Sequence, residues 1–235
     1  MKKKSIWKEI LDRGIWVLIF LIGLVLSQLP LILSSLLSAR QFPLLQSGLL
    51  VALLSVAILT VFIFSALKTG IATFNLSFFK AKDLARLVLS YLVIFTSNLF
   101  GSALLRLMNE STTSNQSTIN NLVQNSSLIS SFFLLVLIAP ICEEILCRGI
   151  IPKKIFRGKE KLGYLVGAVV FALLHTPTNL PSLLIYGGMS TVLTWTAYRT
   201  ERLEMSILLH MIVNGIAFCL LALLVLISRN VGLPF

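Results

Sequence analysis

The chain is poor in charge. Only 12% of its 235 residues are Asp, Glu, Lys or Arg, whereas 57% are hydrophobic. A soluble domain of this length would carry about a quarter charged residues and about half apolar ones. The apolar residues are also grouped into long uncharged runs, of the length of about 20 residues that crosses a bilayer. A soluble globular domain does not fit this pattern, and we expect an integral membrane protein.

Acidic residues are especially scarce, with 9 acids against 20 bases and a net charge of +11. Such an excess can indicate nucleic-acid binding, but no basic surface interleaved with aromatic residues is visible. The basic residues instead lie at the ends of the apolar runs, where such residues orient helices and contact anionic lipid. We therefore expect membrane lipid, and not nucleic acid, as the partner of these charges.

Cysteine and histidine are also rare. The three cysteines, Cys142, Cys147 and Cys219, all fall in apolar segments. An odd number of cysteines outside soluble loops does not indicate a disulfide framework, and we interpret them as small hydrophobic residues. The only two histidines, His175 and His210, lie in apolar segments as well. Any chemistry that uses imidazole must therefore take place within the membrane segments.

The apolar runs predict an all-α, polytopic transmembrane helix bundle of about seven membrane segments. The predicted segments are 15–38, 44–67, 84–105, 128–151, 162–175, 180–198 and 205–228. The fifth has about 14 residues, which is short for a full span. Residues 1–127 hold the first three segments and a polar loop, and residues 128–235 hold the other four. We find no internal repeat and expect one integral membrane domain.

Clusters of basic residues predict the orientation of the chain. Four clusters occupy the loops of one side: Lys2, Lys3, Lys4, Lys8 and Arg13; Lys68, Lys80, Lys82 and Arg86; Lys153, Lys154, Arg157, Lys159 and Lys161; Arg199 and Arg202. The positive-inside rule makes that side cytoplasmic and places the N-terminus there. The Ser/Thr/Asn-rich loop 109–127 would then be a flexible external loop, with the C-terminus on the same side.

Ionisable and amide side chains inside the apolar segments are few and grouped. They are Glu143, Glu144 and Arg148 in the fourth segment, His175 in the fifth, and His210 and Asn214 in the last. Such groups are costly in a bilayer and usually mark function. Glu144 and Arg148 are four residues apart and can pair on one helix face. Glu143 is rotated by about 100° and has no base at that spacing, so its partners must come from other helices.

Packing features near the acids predict a close cluster. Pro140 removes a backbone donor one turn before the acids and can kink that helix. Gly163 and Gly167 precede Phe171 and His175 at a spacing of four, and they allow a neighbouring helix to approach closely. Distances counted along the helices from the basic residues place the site below the cytoplasmic surface. We expect water to reach it from that side.

A carboxylate near two imidazoles and an amide suits hydrolysis. A buried Glu can take a proton from water, and a neutral His can orient that water. A second His with Asn can stabilise a developing oxyanion, which is worth about 3 kcal/mol per donor in favourable cases. Alternatively, Glu143, His175 and His210 could hold zinc with one open position. The short H-E-x-x-H helix is absent, and the residues leave both the metal and the metal-free mechanism open.

Three motifs follow one another in the second half of the chain: Glu143-Glu144-x-x-x-Arg148, Phe171-x-x-x-His175 and His210-x-x-x-Asn214. As a set they resemble the motifs of the CAAX protease and bacteriocin-processing (CPBP, or Abi) family, which is similar to type II CAAX prenyl endopeptidases. The resemblance implies an all-helical intramembrane endopeptidase. Glu144, Arg148 and Phe171 would be its supporting residues, with the first two holding their helix in place.

By the same resemblance, Glu143 would be the general base and His175 its water-positioning partner, while His210 and Asn214 would form the oxyanion hole. Members of the family are commonly described as metalloproteases, although a metal-free glutamate mechanism is also argued for them. The cofactor is therefore left open between a divalent metal such as zinc and none.

The resemblance leaves the substrate open beyond a membrane-associated peptide or protein. The eukaryotic branch trims three residues from prenylated proteins, whereas this short, loop-poor chain looks more like bacterial members, which implies a bacterial cell membrane. Bacterial members are associated with bacteriocin self-immunity, pheromone maturation and processing of membrane proteins. The alternative is a non-catalytic membrane partner, either an immunity factor or a scaffold for a sensor kinase. A proton or solute carrier fits less well, because the polar residues cluster toward one side. The oligomeric state is not predicted.

Overall fold

The computed structural model describes residues 6–75, 77 and 79–231. Over these residues the chain forms helices and no strand. The helices are α1 (Ile6–Ala39), α2 (Leu44–Lys68), α3 (Ala81–Leu107), α4 (Ser114–Asn125), α5 (Leu128–Ile155), α6 (Glu160–Leu174), α7 (Leu180–Thr200) and α8 (Leu203–Val231). Lys2, Lys3 and Lys4 of the first basic cluster lie outside the described residues.

The predicted polytopic helical bundle is confirmed. Five helices in the described chain, α1, α2, α3, α5 and α8, are long and apolar enough to cross a membrane. Helices α6 and α7 coincide with the other two predicted segments. Helix α6 has 15 residues, which makes it about 22 Å long. Because the hydrocarbon core is about 30 Å thick, α6 alone does not span it.

The polar loop predicted to be flexible contains a helix, α4, and this part of the prediction was wrong. Thr113 caps the helix, since its Oγ1 accepts the backbone N–H of Gln116 at 3.1 Å. Ser38 of α1 donates to the carbonyl of Asn125 at 2.7 Å. Ser, Thr and Asn have low intrinsic helix propensity, so the composition indicated a loop, whereas capping and tertiary contacts produce a helix.

Helix α5 is central and packs against α1, α2, α6 and α8. Its winding is irregular, with π-helical stretches at Phe133–Ile138 and Ile145–Ile155 and an α-helical stretch at Ala139–Glu144 between them. Pro140 stands at the first junction, where it lacks the N–H that would continue the ladder. π-Helical turns are often found at functional sites, and here they enclose the two acids.

Helix α6 lies directly against the backbone of α5, as the glycine spacing predicted. A Cβ atom at Gly163 would stand 2.5 Å from the Cα atom of Pro152, and one at Gly167 would overlap the carbonyl oxygen of Cys147. Neither position therefore admits a side chain without movement of α5. This close approach brings Phe171 of α6 over the α5 side chains that form the site.

The basic clusters that the structure describes lie at one end of the bundle, which we call the lysine-rich end. There Arg157 pairs with Asp12 at 2.9 Å, and Lys153 donates to the carbonyl of Ile71 at 2.7 Å. The opposite end holds α4 and the turn between α6 and α7, and we call it the α4 end.

Candidate active site

Glu143 stands in the wall of a cavity inside the bundle. The cavity has a volume of about 340 Å³, and His175 and Asn214 line it too. The side chain of Glu143 is 25% exposed, and its Oε2 lies 4.0 Å from Nε2 of His210. This Oε2 is buried without a hydrogen-bond partner in the described chain. A buried carboxylate oxygen needs a donor, so Glu143 is the free carboxylate that the spacing predicted.

Glu144 and Arg148 form the predicted ion pair, with 2.9 Å between Oε1 and Nη1 and neither side chain exposed. Three further N–H groups of the guanidinium donate to α7. Nη2 donates to the carbonyl and the hydroxyl of Ser190 at 3.0 and 2.8 Å, and Nε donates to Thr194 at 3.1 Å. The guanidinium also lies over the ring of Phe171 at 4.1 Å. A buried pair is tolerated when its remaining donors are satisfied in this way.

Glu144 also contacts α8. The hydroxyl of Ser206 donates to its Oε2, and Nδ1 of His210 lies 3.1 Å from its Oε1. Because an ionised carboxylate only accepts hydrogen bonds, Nδ1 of His210 carries a proton. The other ring nitrogen, Nε2, is thereby directed at Glu143. Glu144 thus fixes both the tautomer and the orientation of His210, as carboxylates often do for functional histidines.

His175 ends α6 and is held by aromatic rings on both faces. Its ring centroid lies 4.6 Å from that of Phe171 and 4.7 Å from that of Tyr186. Nδ1 lies 2.9 Å from the carbonyl oxygen of Phe171, so Nδ1 donates and the lone pair of Nε2 is left for water or substrate. Tyr186 in turn hydrogen-bonds to Thr113, the cap of α4, at 2.5 Å. His175 is therefore fixed in place and linked to α4.

Asn214 compensates for the irregular winding of α5. In the π-helical stretch an N–H bonds to the carbonyl five residues back, as Ala139 does to Leu134. The next residue, Pro140, has no N–H, so the carbonyl of Leu135 lacks a helical donor. Nδ2 of Asn214 donates to it at 3.0 Å. An amide has a second N–H, and Asn214 also lines the cavity.

The cavity belongs to the α4 end, and the expected access from the lysine-rich end was wrong. Its walls include four residues of α4, and none of the described basic residues lines it. The physical reason is the position of His175: α6 begins at the lysine-rich end and runs about 22 Å to Leu174, so His175 lies beyond the middle of a core about 30 Å thick, on the α4 side of the bundle. Counting residues from the lysines assumed regular helices at equal depth, and the winding of α5 and the end of α6 depart from that.

The conditional metal ligands do not form a metal-binding group. In the described residues, no three or more His, Cys, Asp or Glu side chains are arranged to hold a metal ion. His210 approaches Glu143, but its Nδ1 is directed at Glu144, and His175 does not join them in such a group. The donor set Glu143, His175 and His210 therefore does not fit zinc in this geometry.

Several polar residues that hold the site were not predicted. Ser190 and Thr194 share one face of α7 at a spacing of four, as Ser206 and His210 do on α8. The spacing that singled out the acid–base pair could have found both. Tyr186 had no such signal, because its partners lie on other helices. The cysteines of the site region, Cys142 and Cys147, are buried and unbridged, as their apolar setting predicted.

The fold and the site define a class, that of integral membrane proteins with a carboxylate and two imidazoles gathered inside a helical bundle. Residues 125–216 match the family described as type II CAAX prenyl endopeptidase Rce1-like. This range contains every residue from Glu143 to Asn214 that forms the site. The resemblance predicted from the three motifs is therefore confirmed.

Three curated relatives from lactococci share sequence with the chain. UPF0177 protein YvdC of Lactococcus lactis subsp. lactis (strain IL1403) is 28% identical over 206 residues, which are 86% of this chain and 75% of that protein. UPF0177 protein YaiH of the same strain is 36% identical over 36% of this chain and 35% of its own length. The UPF0177 protein in the abiGi 5' region of Lactococcus lactis subsp. cremoris is 37% identical over 41% of this chain and 40% of its own length. No solved structure matches the chain.

Proposed function

We propose that the chain is an intramembrane endopeptidase that hydrolyses a peptide bond in a membrane-associated protein or peptide. The observation that carries this proposal is the carboxylate of Glu143. It stands in a cavity shared with His175 and Asn214, and its Oε2 has no donor in the described chain. Water is the natural partner of such an oxygen, and a carboxylate that holds a water molecule can act as a general base.

In the proposed reaction, Glu143 takes one proton from the water as its oxygen attacks the peptide carbonyl. His175 orients the water by accepting its other hydrogen at Nε2. The carbonyl oxygen becomes an oxyanion, which accepts the second N–H of Asn214. Glu143 then returns its proton to the amide nitrogen as the C–N bond breaks. The products are a carboxylic acid and an amine, and no group is left on the protein.

His210 is proposed as the second oxyanion donor, and Glu144 as the residue that prepares it. With one proton at Nδ1 facing Glu144, Nε2 can donate only when it carries a second proton. Glu144 is already paired with Arg148, so the carboxylate that faces this second proton is that of Glu143, whose Oε2 lies 4.0 Å from Nε2. Loss of one such donor costs about 100-fold in rate where it has been tested in other hydrolases, so we expect a loss of that size for His210→Ala.

The proposal can be tested in cells, where the proteins of the membrane serve as candidate substrates. Membranes from cells that express the wild type, Glu143→Gln or Glu160→Gln would be compared by labelling new protein N-termini. Glu160 is an exposed acid at the lysine-rich end, so its variant is the matched control. We expect new N-termini with the wild type and the control and none with Glu143→Gln. The same N-termini with Glu143→Gln would refute the proposed role of this residue.

Two further measurements separate the alternatives. A cellular phenotype that Glu143→Gln retains at normal abundance would indicate a non-catalytic membrane partner instead. Purified protein with membrane-anchored peptides, with and without a strong chelator, addresses the metal. Because the donors do not converge in the described chain, we expect the chelator to leave cleavage unchanged. Cleavage abolished by the chelator and restored by zinc would contradict that expectation.

We also propose that the protein resides in a bacterial cell membrane with its lysine-rich end in the cytoplasm. The charge distribution and the lactococcal origin of the relatives support this. Single cysteines in place of Lys159 and Asn121 of a cysteine-free variant test the orientation. An impermeant thiol reagent added to intact cells is expected to label position 121 and not 159, and the reverse would overturn the topology.

A further inference from the structure

The cavity beside Glu143 is a groove between two helix faces. Its walls are Leu24, Ser27, Gln28 and Leu31 on α1, and Asn115, Thr118, Ile119 and Leu122 on α4. Both sets follow the spacing i, i+3, i+4, i+7, which places each set on a single face of its helix. The groove therefore runs between α1 and α4, with α5 as its floor and Glu143 in that floor. We call the second set the α4 face.

The lining of the groove is almost free of charge. Among its described lining residues, Glu143, His175 and the thiol of Cys142 are ionisable, and the others are apolar or neutral and polar. An acidic side chain that entered the groove would lose its hydration without meeting a counter-ion, which is strongly unfavourable. A basic side chain would meet only the carboxylate of Glu143, and pairing with it would occupy the proposed general base. Neutral hydroxyl and amide groups can instead bond to the backbone of a bound chain, and the leucine and isoleucine side chains can pack against apolar residues.

We infer that the groove binds an uncharged stretch of extended polypeptide that enters from the α4 end, and that the α4 face selects it. This inference rests on the proposed function and names the substrate class of the same site. It assigns a role to residues of α4 that lie outside the three motifs. It also implies that a residue on the α4 face sets which side chains are accepted beside the scissile bond.

The cut sites themselves provide the first test. Labelled N-termini that depend on wild-type Glu143, and are lost in Glu143→Gln, define the sequences around each cut. We expect the residues on both sides of the cut to be uncharged. Cuts beside Lys, Arg, Asp or Glu at the frequency of those residues in uncut chains would overturn the inference alone. No dependent cuts at all would overturn the proposed function, so the two failures are distinguishable.

A charge placed on the α4 face provides the second test. The probes are two peptides with the sequence of one observed cut, which differ by a neutral residue or Asp beside the scissile bond. We expect wild-type protein to cleave the Asp peptide about 100-fold more slowly, which corresponds to about 2.7 kcal/mol of unpaired charge burial. Thr118→Lys should reduce the ratio of the two cleavage rates, neutral peptide over Asp peptide, by about 10-fold or more, because the lysine supplies the missing counter-ion.

Asn121→Lys is the matched control, since Asn121 is exposed on the same helix and does not line the groove. It should leave the ratio between the two peptides as it is in the wild type. A ratio taken within one variant does not depend on how much of that variant is folded. Equal ratios for Thr118→Lys and Asn121→Lys would overturn the assignment of the α4 face, whatever their absolute rates.

Discussion

Replacement of Arg148 by methionine tests the arrangement of buried charge most directly. The side chain is fully buried, and its three nitrogens donate to Glu144, Ser190 and Thr194. Its removal leaves Glu144 without its cation inside the bundle, and breaking a buried pair in this way costs about 3–5 kcal/mol. For a chain of this length, each kcal/mol lowers Tm by about 2–4 °C. Arg148→Met should therefore lower Tm by about 6–20 °C in detergent, as followed by tryptophan fluorescence.

The chain supplies its own control for this prediction. Arg157 pairs with Asp12 at 2.9 Å, but the two side chains are 44% and 39% exposed, and exposed pairs contribute at most about 1 kcal/mol. Arg157→Met should therefore lower Tm by no more than about 4 °C. The double variant Glu144→Gln and Arg148→Met removes the stranded charge and should recover part of the loss. If Arg148→Met has the same Tm as Arg157→Met, or if the double variant has a lower Tm than Arg148→Met, the reasoning is wrong.

Three other variants follow from the same contacts. Ser206→Ala leaves a buried carboxylate oxygen without its donor and should destabilise the protein by about 1–3 kcal/mol; an unchanged melt would contradict the hydrogen bond. Asn214→Leu should destabilise the protein less in a Pro140→Ala background, because alanine restores the backbone N–H that the carbonyl of Leu135 lacks. If a double-mutant cycle shows that the two losses of stability are additive, Asn214 does not compensate for Pro140. Cysteines at Ser34 and Ser126, whose hydroxyl oxygens are 3.3 Å apart, should form a disulfide that ties α4 to α1. We expect oxidation to produce a band shift that a reductant reverses, whereas the absence of a crosslink under oxidation would contradict the packing of the end of α4 against α1.

The membrane helices were predictable because a long apolar run is a property of composition that few other structures share. Their ends were less so. The first segment was predicted to begin near residue 15, whereas α1 begins at Ile6. The additional turns carry charge and are stabilised outside the apolar run, since Glu9 pairs with Arg13 at 2.6 Å within the helix and Asp12 pairs with Arg157 from another. Hydropathy does not predict such turns, because ion pairs and not the burial of apolar side chains stabilise them.

The site shows where spacing suffices and where it does not. The pairing of Glu144 with Arg148 followed from a separation of four on a regular helix. The partner of His210 did not follow from the spacing, because its Nδ1 contacts Glu144 and only its Nε2 faces Glu143. Which acid contacts Nδ1 depends on the rotation of α5 between two π-helical stretches. A single amino-acid sequence does not reveal such a change of winding. The catalytic roles of these residues remain predictions.

The contacts of Glu144 also bear on the order in which the protein is made. Its carboxylate lies on α5, whereas Ser206 and His210 lie on α8, which leaves the ribosome after α6 and α7. Until α8 has been inserted, the imidazole that faces Glu143 is absent and one oxygen of Glu144 has no donor. A nascent chain that ends before α8 therefore carries both acids of α5 without the hydroxyl and the imidazole that contact Glu144 in the finished protein. The last helix to be made completes the polar cluster that α5 begins.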